Sequence, residues 1–291
     1  MKFAFVILHY MAIEDTVECI ESFNNLNTRL EYSLVIVDNC SPDQSGNKLK
    51  EMFANKKNVH VLMNKENSGF ARGNNAGIRF AKSNLNADIV VCINNDTKII
   101  QGDFLEKVLD EYEKSHFWIL GPMILTKDGR YISNPLRSLI RTKSEVEKAL
   151  YIKKKELFYL RHRLDGFQQL WKKAKAILKN DCIKGSEISL SKNINIALHG
   201  SCLILSPEFF KCFSGFDERT FLYSEENILY SHVMAEKGLM VYSPEVRIYH
   251  KEDASTDISN GSGRNKKLFV IENEIKSLEI LEKVLDENEK R

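Results

Sequence analysis

The first 125 residues alternate between short apolar runs and amphipathic segments, and this alternation constrains the fold more than any other feature of the chain. The segments between the apolar runs carry apolar residues at helical spacing, most clearly in Gly69–Ser83. Because the runs are apolar on consecutive residues, both faces of the sheet they form must be covered. The pattern predicts an α/β fold with a mostly parallel, Rossmann-like sheet and helices on both faces. The runs that predict strands are Phe3–Leu8, Tyr32–Asn39, Asn58–Asn64, Ile89–Ile93 and Phe117–Leu125.

The chain changes character after residue 126. Between Arg141 and Lys179, twelve basic residues stand against four acidic ones, with an apolar stripe at helical spacing. The strand and helix pattern returns at Ile194, and a charged helix is predicted from Lys267 to about Asn288. We therefore expect a first half of one α/β domain at 1–126, a basic helical insertion at 127–193, a second half at 194–256 and a C-terminal helical extension at 257–291.

Composition excludes several classes of protein. The 42 Lys and Arg residues nearly balance the 40 Asp and Glu residues, so no global charge indicates a nucleic-acid partner. The six cysteines contain no Cys-x-x-Cys pair, which favours reduced thiols in a cytosolic protein. The apolar run at the N-terminus lacks the cleavage site of a signal peptide, and no window approaches the roughly 18 apolar residues of a membrane span. We expect a cytoplasmic protein.

Polar side chains follow three of the predicted strands. They are Asp38–Asn39, Asn64 with the "KENSGFARGNN" stretch after it, and Asn94–Asp96. Each has a purely structural interpretation as an Asx turn or a helix cap. However, ligands of open parallel sheets bind outside the carboxyl ends of the strands. The coincidence at successive strand ends therefore predicts one shared binding site at this edge of the sheet, which we call the mouth.

Several motifs together resemble family 2 glycosyltransferases of the GT-A fold. The resemblance is to the branch that builds bacterial surface polysaccharides, including rhamnosyltransferases. It covers about residues 1–126, the nucleotide-sugar-binding half, and 194–256, the acceptor and catalytic half. The basic insertion and the C-terminal helix are not covered. The motifs are "VILHY", "VIVDNCSPD", "NKENSGFARGNNAGI", "CINNDT", "SGFDERTFLYSEENILYSHVMAEKG" and "SPEVRIYHKEDAS".

The resemblance implies a nucleotide site at the first strand ends. Asp38 matches the carboxylate that accepts a hydrogen bond from the pyrimidine base of the donor, and Asn39 lies beside it. Asn67, Gly69 and Asn74 match the loop and helix that line the nucleotide.

A divalent cation, Mg²⁺ or Mn²⁺, is implied in the same way. Asp96 matches the last carboxylate of the family's Asp-x-Asp motif, and Asn95 stands in the middle position. One carboxylate suits a hard cation that is bridged mainly by phosphate oxygens and water. His250 matches a downstream histidine that completes the site, although a hydrogen-bonded histidine at a strand end is the structural alternative. His199 matches the stretch that lines the sugar pocket, where it could contact a phosphate or hydroxyl.

The residues matched to the catalytic motif depart from the family pattern. The Glu-Asp-x-Asp motif reads Glu225-Glu226-Asn227-Ile228 here. Glu226 takes the position of the general base, and Glu225 is either the alternative base or an acid that stabilises a helix N-terminus. Ile228 replaces the second Asp. Asp217 either orients the acceptor or forms a turn.

The resemblance predicts an inverting enzyme that moves a sugar from a UDP- or dTDP-sugar to a hydroxyl of a growing cell-surface glycan, which could be linked to polyprenyl diphosphate. A non-catalytic homologue that binds nucleotide sugars or glycans is the alternative, because of the altered motif. A sugar nucleotidyltransferase is disfavoured, since "LHYMAIED" lacks the Gly-rich loop that such enzymes carry after the first strand.

Three interpretations of the basic stretch at 141–179 stay open. It could form a helical hairpin with a solvated basic face, or an oligomer contact. It could also lie on the anionic inner face of the cell membrane, since basic residues opposite Trp, Phe and Leu are typical of interfacial helices.

Overall fold

The computed structural model describes residues 1–126, 134–136, 139–163, 192–251 and 263–290, and within these ranges the strands form one mixed sheet. The strands are β1 (Phe3–His9), β2 (Tyr32–Asp38), β3 (Val59–Met63), β4 (Ile89–Asn94), β5 (Thr97–Ile99), β6 (Ile119–Leu125), β7 (Asn193–Ile194), β8 (Cys202–Leu205) and β9 (Met240–His250). The helices are α1 (Ile13–Ser22), α2 (Ser45–Met52), α3 (Gly69–Ser83), α4 (Phe104–Ser115), α5 (Lys143–Arg161), α6 (Pro207–Phe210), α7 (Glu225–Ala235) and α8 (Arg264–Glu289).

The strand order is β3-β2-β1-β4-β8-β6-β9-β5, with β7 paired to β9. Strands β3, β2, β1 and β4 are parallel, and β6 is parallel to β9. Strand β8 runs antiparallel between β4 and β6, and β5 is an antiparallel edge on β9. The predicted α/β architecture with a mostly parallel sheet is confirmed.

The core has one apolar layer on each face of the sheet. Phe5 and Ile7 of β1 pack into the layer under α1 and α4, whereas Ala4 and Val6 pack into the layer under α3 and α7. All four side chains are fully buried. A strand that is buried on both faces carries apolar side chains on both faces, which explains the uninterrupted apolar runs of the sequence.

Strand β9 differs from the sequence prediction, which placed two short strands in "LMVYSP" and "VRIYH". The structure has one strand of 11 residues. Its pairing with β6 jumps from Ser243 opposite Pro122 to Arg247 opposite Met123. Pro244 has no backbone N–H to donate to a neighbouring strand. The residues around it therefore loop out of the pairing with β6 while strand β9 continues. The three-residue strand β5 was also not predicted, because it is too short to show a pattern.

The described part of the basic insertion forms a helical pair with the C-terminal extension; residues 164–191 lie outside the described ranges. Val146 and Leu150 of α5 pack in one apolar cluster with Leu278 and Leu281 of α8. Four of the basic residues pair with acidic residues of α8. These ion pairs are Lys143–Asp286, Lys153–Glu274, Lys154–Glu279 and Arg161–Glu272.

Among the described residues, none of the helices combines the length and the apolar character needed to cross a lipid bilayer.

Candidate functional site

The carboxyl ends of three parallel strands lie side by side. His9, the last residue of β1, is in register with Asp38 of β2, and Leu8 is in register with Asn94 of β4. The sheet register therefore brings together the polar strand ends that the sequence singled out.

Asp38 is buried at the end of β2, with 1% of its surface exposed. Ser41 Oγ donates to its Oδ1 at 2.5 Å. The backbone of α2 packs directly against the carboxylate, because a Cβ on Gly46 would lie 2.4 Å from Asp38 Cγ. A glycine at this position is what leaves room for the buried acid.

Asn39 ties the end of β2 to the loop before α3. Its Nδ2 donates to Asn67 Oδ1 at 2.8 Å and to the Gly69 carbonyl at 3.2 Å. Its Oδ1 accepts from Asn64 Nδ2 and from the Ser68 backbone N–H. Three predicted residues, Asn39, Asn67 and Gly69, thus belong to one hydrogen-bonded loop.

Gly69 begins α3 in a backbone conformation that only glycine adopts easily. Its φ angle is +80°, and a Cβ there would lie 2.2 Å from the Phe221 carbonyl oxygen. The same carbonyl accepts the Phe70 N–H at 2.8 Å. Gly69 therefore lets α3 begin directly against the loop that precedes α7. Asn74 lies one turn further on, buried, and its Nδ2 donates to the Phe70 carbonyl inside the helix.

Asp96 and His250 form a buried pair where β5 and β9 meet. Asp96 Oδ1 lies 3.1 Å from His250 Nε2, and both side chains are 8% exposed. The two groups are not aligned as a hydrogen bond. Asp96 Oδ1 and both ring nitrogens of His250 are therefore buried without a hydrogen-bond partner among the described residues.

This pair fits the donor set of a divalent cation, since burying such atoms without partners is costly and a carboxylate oxygen and an imidazole nitrogen are both common metal ligands. No group of three or more His, Cys, Asp or Glu residues is placed to hold a metal within the described part of the chain. Phosphate oxygens and water would have to supply the remaining ligands. Asn95 points elsewhere, because its Nδ2 donates to Thr16 Oγ1 at 3.0 Å below the strand ends.

The turn at His199–Ser201 connects the cation pair to α7. The rings of His199 and His250 lie 5.8 Å apart between centroids. Ser201 accepts the Asn94 N–H of β4 through its carbonyl oxygen at 2.9 Å. Between them, the Gly200 N–H donates to Glu226 Oε1 at 3.2 Å. The predicted sugar-pocket histidine, the cation pair and the predicted base thus border one region.

Glu225 and Glu226 differ in their environments. Glu225 Oε1 is buried without a hydrogen-bond partner among the described residues. Burial, together with the neighbouring charge of Glu226, raises the pKa of Glu225 to about 8. Glu225 therefore holds a proton at neutral pH, where it is not available as a base.

Asn227 and Ile228, the two residues that follow Glu226, connect α7 to the helical pair of α5 and α8. Asn227 Oδ1 accepts the Ile140 N–H at 3.0 Å. Ile228 is 1% exposed and lies in the apolar cluster of α5 and α8. A carboxylate at position 228 would be buried among apolar side chains, which explains why Ile228 replaces the second Asp of the family motif.

Asp217 makes its hydrogen bonds and ion pairs with Arg219 and His232, and none with the other predicted site residues within the described ranges. It accepts from Arg219 Nη2 at 2.7 Å and from His232 Nε2 at 3.0 Å. Burial alone would raise the pKa of Asp217, but the hydrogen bonds from His232 and Arg219 hold it well below its usual range. Arg219 also pairs with Glu287 of α8, so the Arg219 guanidinium joins the loop before α7 to the C-terminal helix.

Sequence reasoning missed the buried polar residues below the strand ends, of which His9 is the centre. Its ring nitrogens contact Thr16 and Ser45. The available signal was that His9 is the polar residue that directly follows the first apolar run, Phe3–Leu8.

The model of the family described as "Glycosyl transferase family 2" matches residues 4–170, more than half of the chain. The chain belongs to glycosyl transferase family 2. The family predicted from the motifs is therefore confirmed.

Among curated proteins, this family 2 chain is 24% identical over 226 residues to the "Low-salt glycan biosynthesis hexosyltransferase Agl10" of Haloferax volcanii. The match includes 76% of the present chain but only 58% of that relative.

Among solved structures, the chain is similar to S. aureus TarS 1–349, with a TM-score of 0.55 and 16% identity over 86% of this chain and 60% of that one. The complex of the same protein with UDP-GlcNAc gives a TM-score of 0.56 and 15% identity, over 90% and 62% of the two chains. At these identities the likeness concerns the fold, and the predicted GT-A fold is confirmed.

Proposed function

We propose that this family 2 chain is an inverting glycosyltransferase that moves a sugar from a UDP- or dTDP-sugar to a hydroxyl of a growing cell-surface glycan. The observation that carries the proposal is that one turn, His199–Ser201, contacts both the buried Asp96–His250 pair and Glu226. The relative from Haloferax volcanii is named as a hexosyltransferase of glycan biosynthesis, and TarS has been solved with UDP and with UDP-GlcNAc. The first name supports sugar transfer in glycan biosynthesis, and the TarS complexes support a nucleotide-sugar donor.

The nucleotide would bind over the ends of β1 and β2. Asp38 would accept the imide N–H of the base, which uracil and thymine share, so this contact would select a pyrimidine without separating UDP from dTDP. The loop of Asn39, Asn67 and Gly69 would line the same side. The resemblance to rhamnosyltransferases favours dTDP-rhamnose among the thymidine donors.

Asp96 and His250 would hold Mg²⁺ or Mn²⁺ beside the diphosphate. When bound, such a cation offsets the charge that grows on the leaving nucleoside diphosphate.

Glu226 would act as the general base. Its carboxylate would take the proton of the acceptor hydroxyl while that oxygen forms a bond to the anomeric carbon. The bond from the anomeric carbon to the diphosphate breaks on the opposite face, so the sugar configuration inverts and the nucleoside diphosphate leaves. The Gly200 N–H would hold the carboxylate in place during this step.

Replacing Asp96 by Ala is expected to remove cation-dependent nucleotide binding. With UDP or dTDP at about a hundred times its dissociation constant and Mn²⁺ present, wild type should gain about 2.7 kcal/mol of stability. Asp96→Ala should gain little more than it does without Mn²⁺. Thermal-shift assays with and without Mn²⁺ measure this, and Asp110→Ala, which removes an exposed carboxylate of α4, is the matched control. A cation-dependent shift that survives in Asp96→Ala would contradict the proposed cation site.

A non-catalytic role in binding nucleotide sugars or glycans is the second candidate, and the observation that favours it is the Ile228 replacement. Donor binding with neither transfer nor hydrolysis, under conditions in which acceptor glycans of several classes are supplied, would support it. The packing of Ile228 against α5 and α8 gives the replacement a structural reason that is independent of activity.

We further propose that the acceptor is linked to polyprenyl diphosphate and that the protein binds the inner face of the cell membrane through α5. Because Lys143, Lys153, Lys154 and Arg161 pair with α8, they are not the basic residues that would contact lipid. The outward face of the helix instead exposes Tyr151 (68%), Ile152 (54%) and Phe158 (54%) next to Lys148 and Lys155. Aromatic and apolar side chains beside lysines are the composition of an interfacial helix.

Changing Lys148 and Lys155 together to Gln is expected to weaken binding to anionic vesicles by roughly tenfold or more, at about 1 kcal/mol per basic residue near the surface. Flotation with phosphatidylglycerol-containing and neutral vesicles measures it. The exposed pair Lys48 and Lys114, changed to Gln, gives the same charge change elsewhere. Equal flotation of wild type and the α5 variant would argue against the membrane contact.

A further inference from the structure

A chain of hydrogen bonds, buried except at its Asp43 end, runs beneath the two halves of the proposed donor site, and His9 is its centre. The His9 side chain is fully buried at the end of β1. Its Nδ1 lies 2.7 Å from Thr16 Oγ1, and its Nε2 lies 2.8 Å from Ser45 Oγ. Thr16 Oγ1 accepts from Asn95 Nδ2 at 3.0 Å, and Ser45 Oγ donates to Asp43 Oδ1 at 2.6 Å.

Counting protons gives this chain a single direction. Ser45 has one hydroxyl hydrogen, and the charged carboxylate of Asp43 is the stronger acceptor for it. His9 Nε2 must then be the protonated nitrogen that donates to Ser45 Oγ. Burial lowers the pKa of His9, against the opposing effect of Asp38 and Asp43, so the ring is neutral. Nδ1 therefore accepts the hydroxyl hydrogen of Thr16. The Ala12 carbonyl, 2.9 Å from the same hydroxyl, also accepts the Thr16 backbone N–H, whereas Nδ1 has no other donor among the described residues.

The resulting sequence of donors runs from Asn95 to Thr16 to His9, and from His9 to Ser45 to Asp43. At one end, Asn95 precedes Asp96 of the proposed cation pair. At the other end, Ser45 is the first residue of α2. Gly46, the second residue of this helix, packs against the Asp38 carboxylate. A neutral histidine with a fixed tautomer thus connects the proposed cation site at Asp96 with the proposed nucleobase site at Asp38.

We propose that His9 is a positioning residue that couples the two halves of the donor site, so that cation binding at Asp96 strengthens nucleotide binding at Asp38. This inference rests on the proposed function, namely that the mouth binds a nucleoside diphosphate with a cation. Part of the effect of Mn²⁺ on nucleotide affinity is direct contact with the diphosphate. The remainder arises because cation binding orders Asn95–Asp96 relative to the first residues of α2. His9 transmits this ordering through its hydrogen bonds to Thr16 and Ser45.

The test is the factor by which Mn²⁺ raises the affinity for UDP or dTDP, measured by titration calorimetry with saturating Mn²⁺ and with EDTA. His9→Leu, which removes both hydrogen bonds, should reduce this factor at least fivefold. His9→Gln places an amide N–H toward Ser45 and a carbonyl oxygen toward Thr16. It should keep the factor within about twofold of wild type, because the direction of the chain is preserved.

Thr16→Val breaks the chain at a second point with little change in volume, which keeps the test available if His9→Leu does not fold. It should reduce the factor as much as His9→Leu does, and the double variant should show no further loss, since both changes break the same chain. A merely structural role would lower the melting temperature of these variants and leave the factor unchanged.

The failures of this inference and of the proposed function are distinguishable. If wild type binds neither nucleotide under any condition, both are overturned. If wild type shows the Mn²⁺ effect and folded His9→Leu or Thr16→Val keeps it in full, only the coupling role of His9 is overturned.

Discussion

Glu226→Gln is expected to lower the rate of sugar transfer by roughly a hundredfold to ten-thousandfold, the usual contribution of a general base. Gln has the same shape as Glu but cannot take the proton of the acceptor hydroxyl. Its carbonyl oxygen can still accept the Gly200 N–H, which lies 3.2 Å from Glu226 Oε1. The fold and the affinity for nucleoside diphosphate should therefore be retained.

Glu225→Gln is the matched control for this experiment. Glu225 is already protonated at neutral pH, with a pKa raised by burial and by Glu226 to about 8. Replacing a neutral acid with a neutral amide should keep the rate within several-fold of wild type. Release of nucleoside diphosphate during transfer, or during hydrolysis of the donor, reports the rates, and calorimetry reports binding. If Glu225→Gln is inactive while Glu226→Gln is active, the assignment of the base is reversed.

The second large effect concerns stability and pH. The folded chain keeps the Glu225 proton up to a pKa of about 8, whereas the ordinary value is 4.5. Between these values the folded state binds a proton that the unfolded state has released. The contribution to stability is therefore fully present below the unfolded pKa and is lost as the pH rises through the folded one. The slope is at most about 1.4 kcal/mol per pH unit, for a total of a few kcal/mol.

Denaturant unfolding at pH 5, 6, 7 and 8 measures this dependence. The free energy of unfolding of wild type should fall relative to that of Glu225→Gln as the pH rises. Glu113→Gln, an exposed position on α4, should follow the wild-type profile. Glu226→Gln removes the neighbouring charge, so the fall should end at a lower pH. Parallel profiles for wild type and Glu225→Gln would show that Glu225 titrates normally.

The helical pair of α5 and α8 bears directly on the proposed catalytic residues. Ile228 packs into its apolar cluster, and Ser277 Oγ of α8 donates to the Leu222 carbonyl at 2.7 Å in the loop just before Glu225. One side of the first turn of α7 therefore faces the candidate site, and the other side packs against the pair of α5 and α8. The departure from the family motif at Ile228 follows from this packing against the helical pair.

Local patterns in the sequence determined the elements and the position of the mouth. Helix α3 begins and ends at Gly69 and Ser83 as predicted, because an amphipathic repeat fixes both its face and its length. The polar residues after β2 and β4 come together because parallel strands end at one edge of a sheet. The motifs indicated the family, since they depend on residues that are close in sequence.

Tertiary contacts decided what could not be read in that way. The sequence leaves three interpretations of the lysines at 143, 153 and 154 open, because their acidic partners on α8 lie more than a hundred residues away along the chain. The proton on Glu225 depends on how deeply one oxygen is buried, and the role of His9 depends on Thr16 and Ser45, which meet only in the folded chain. Charge pairing, desolvation and hydrogen-bond direction are properties of neighbours in space. The sequence specifies them only through the fold.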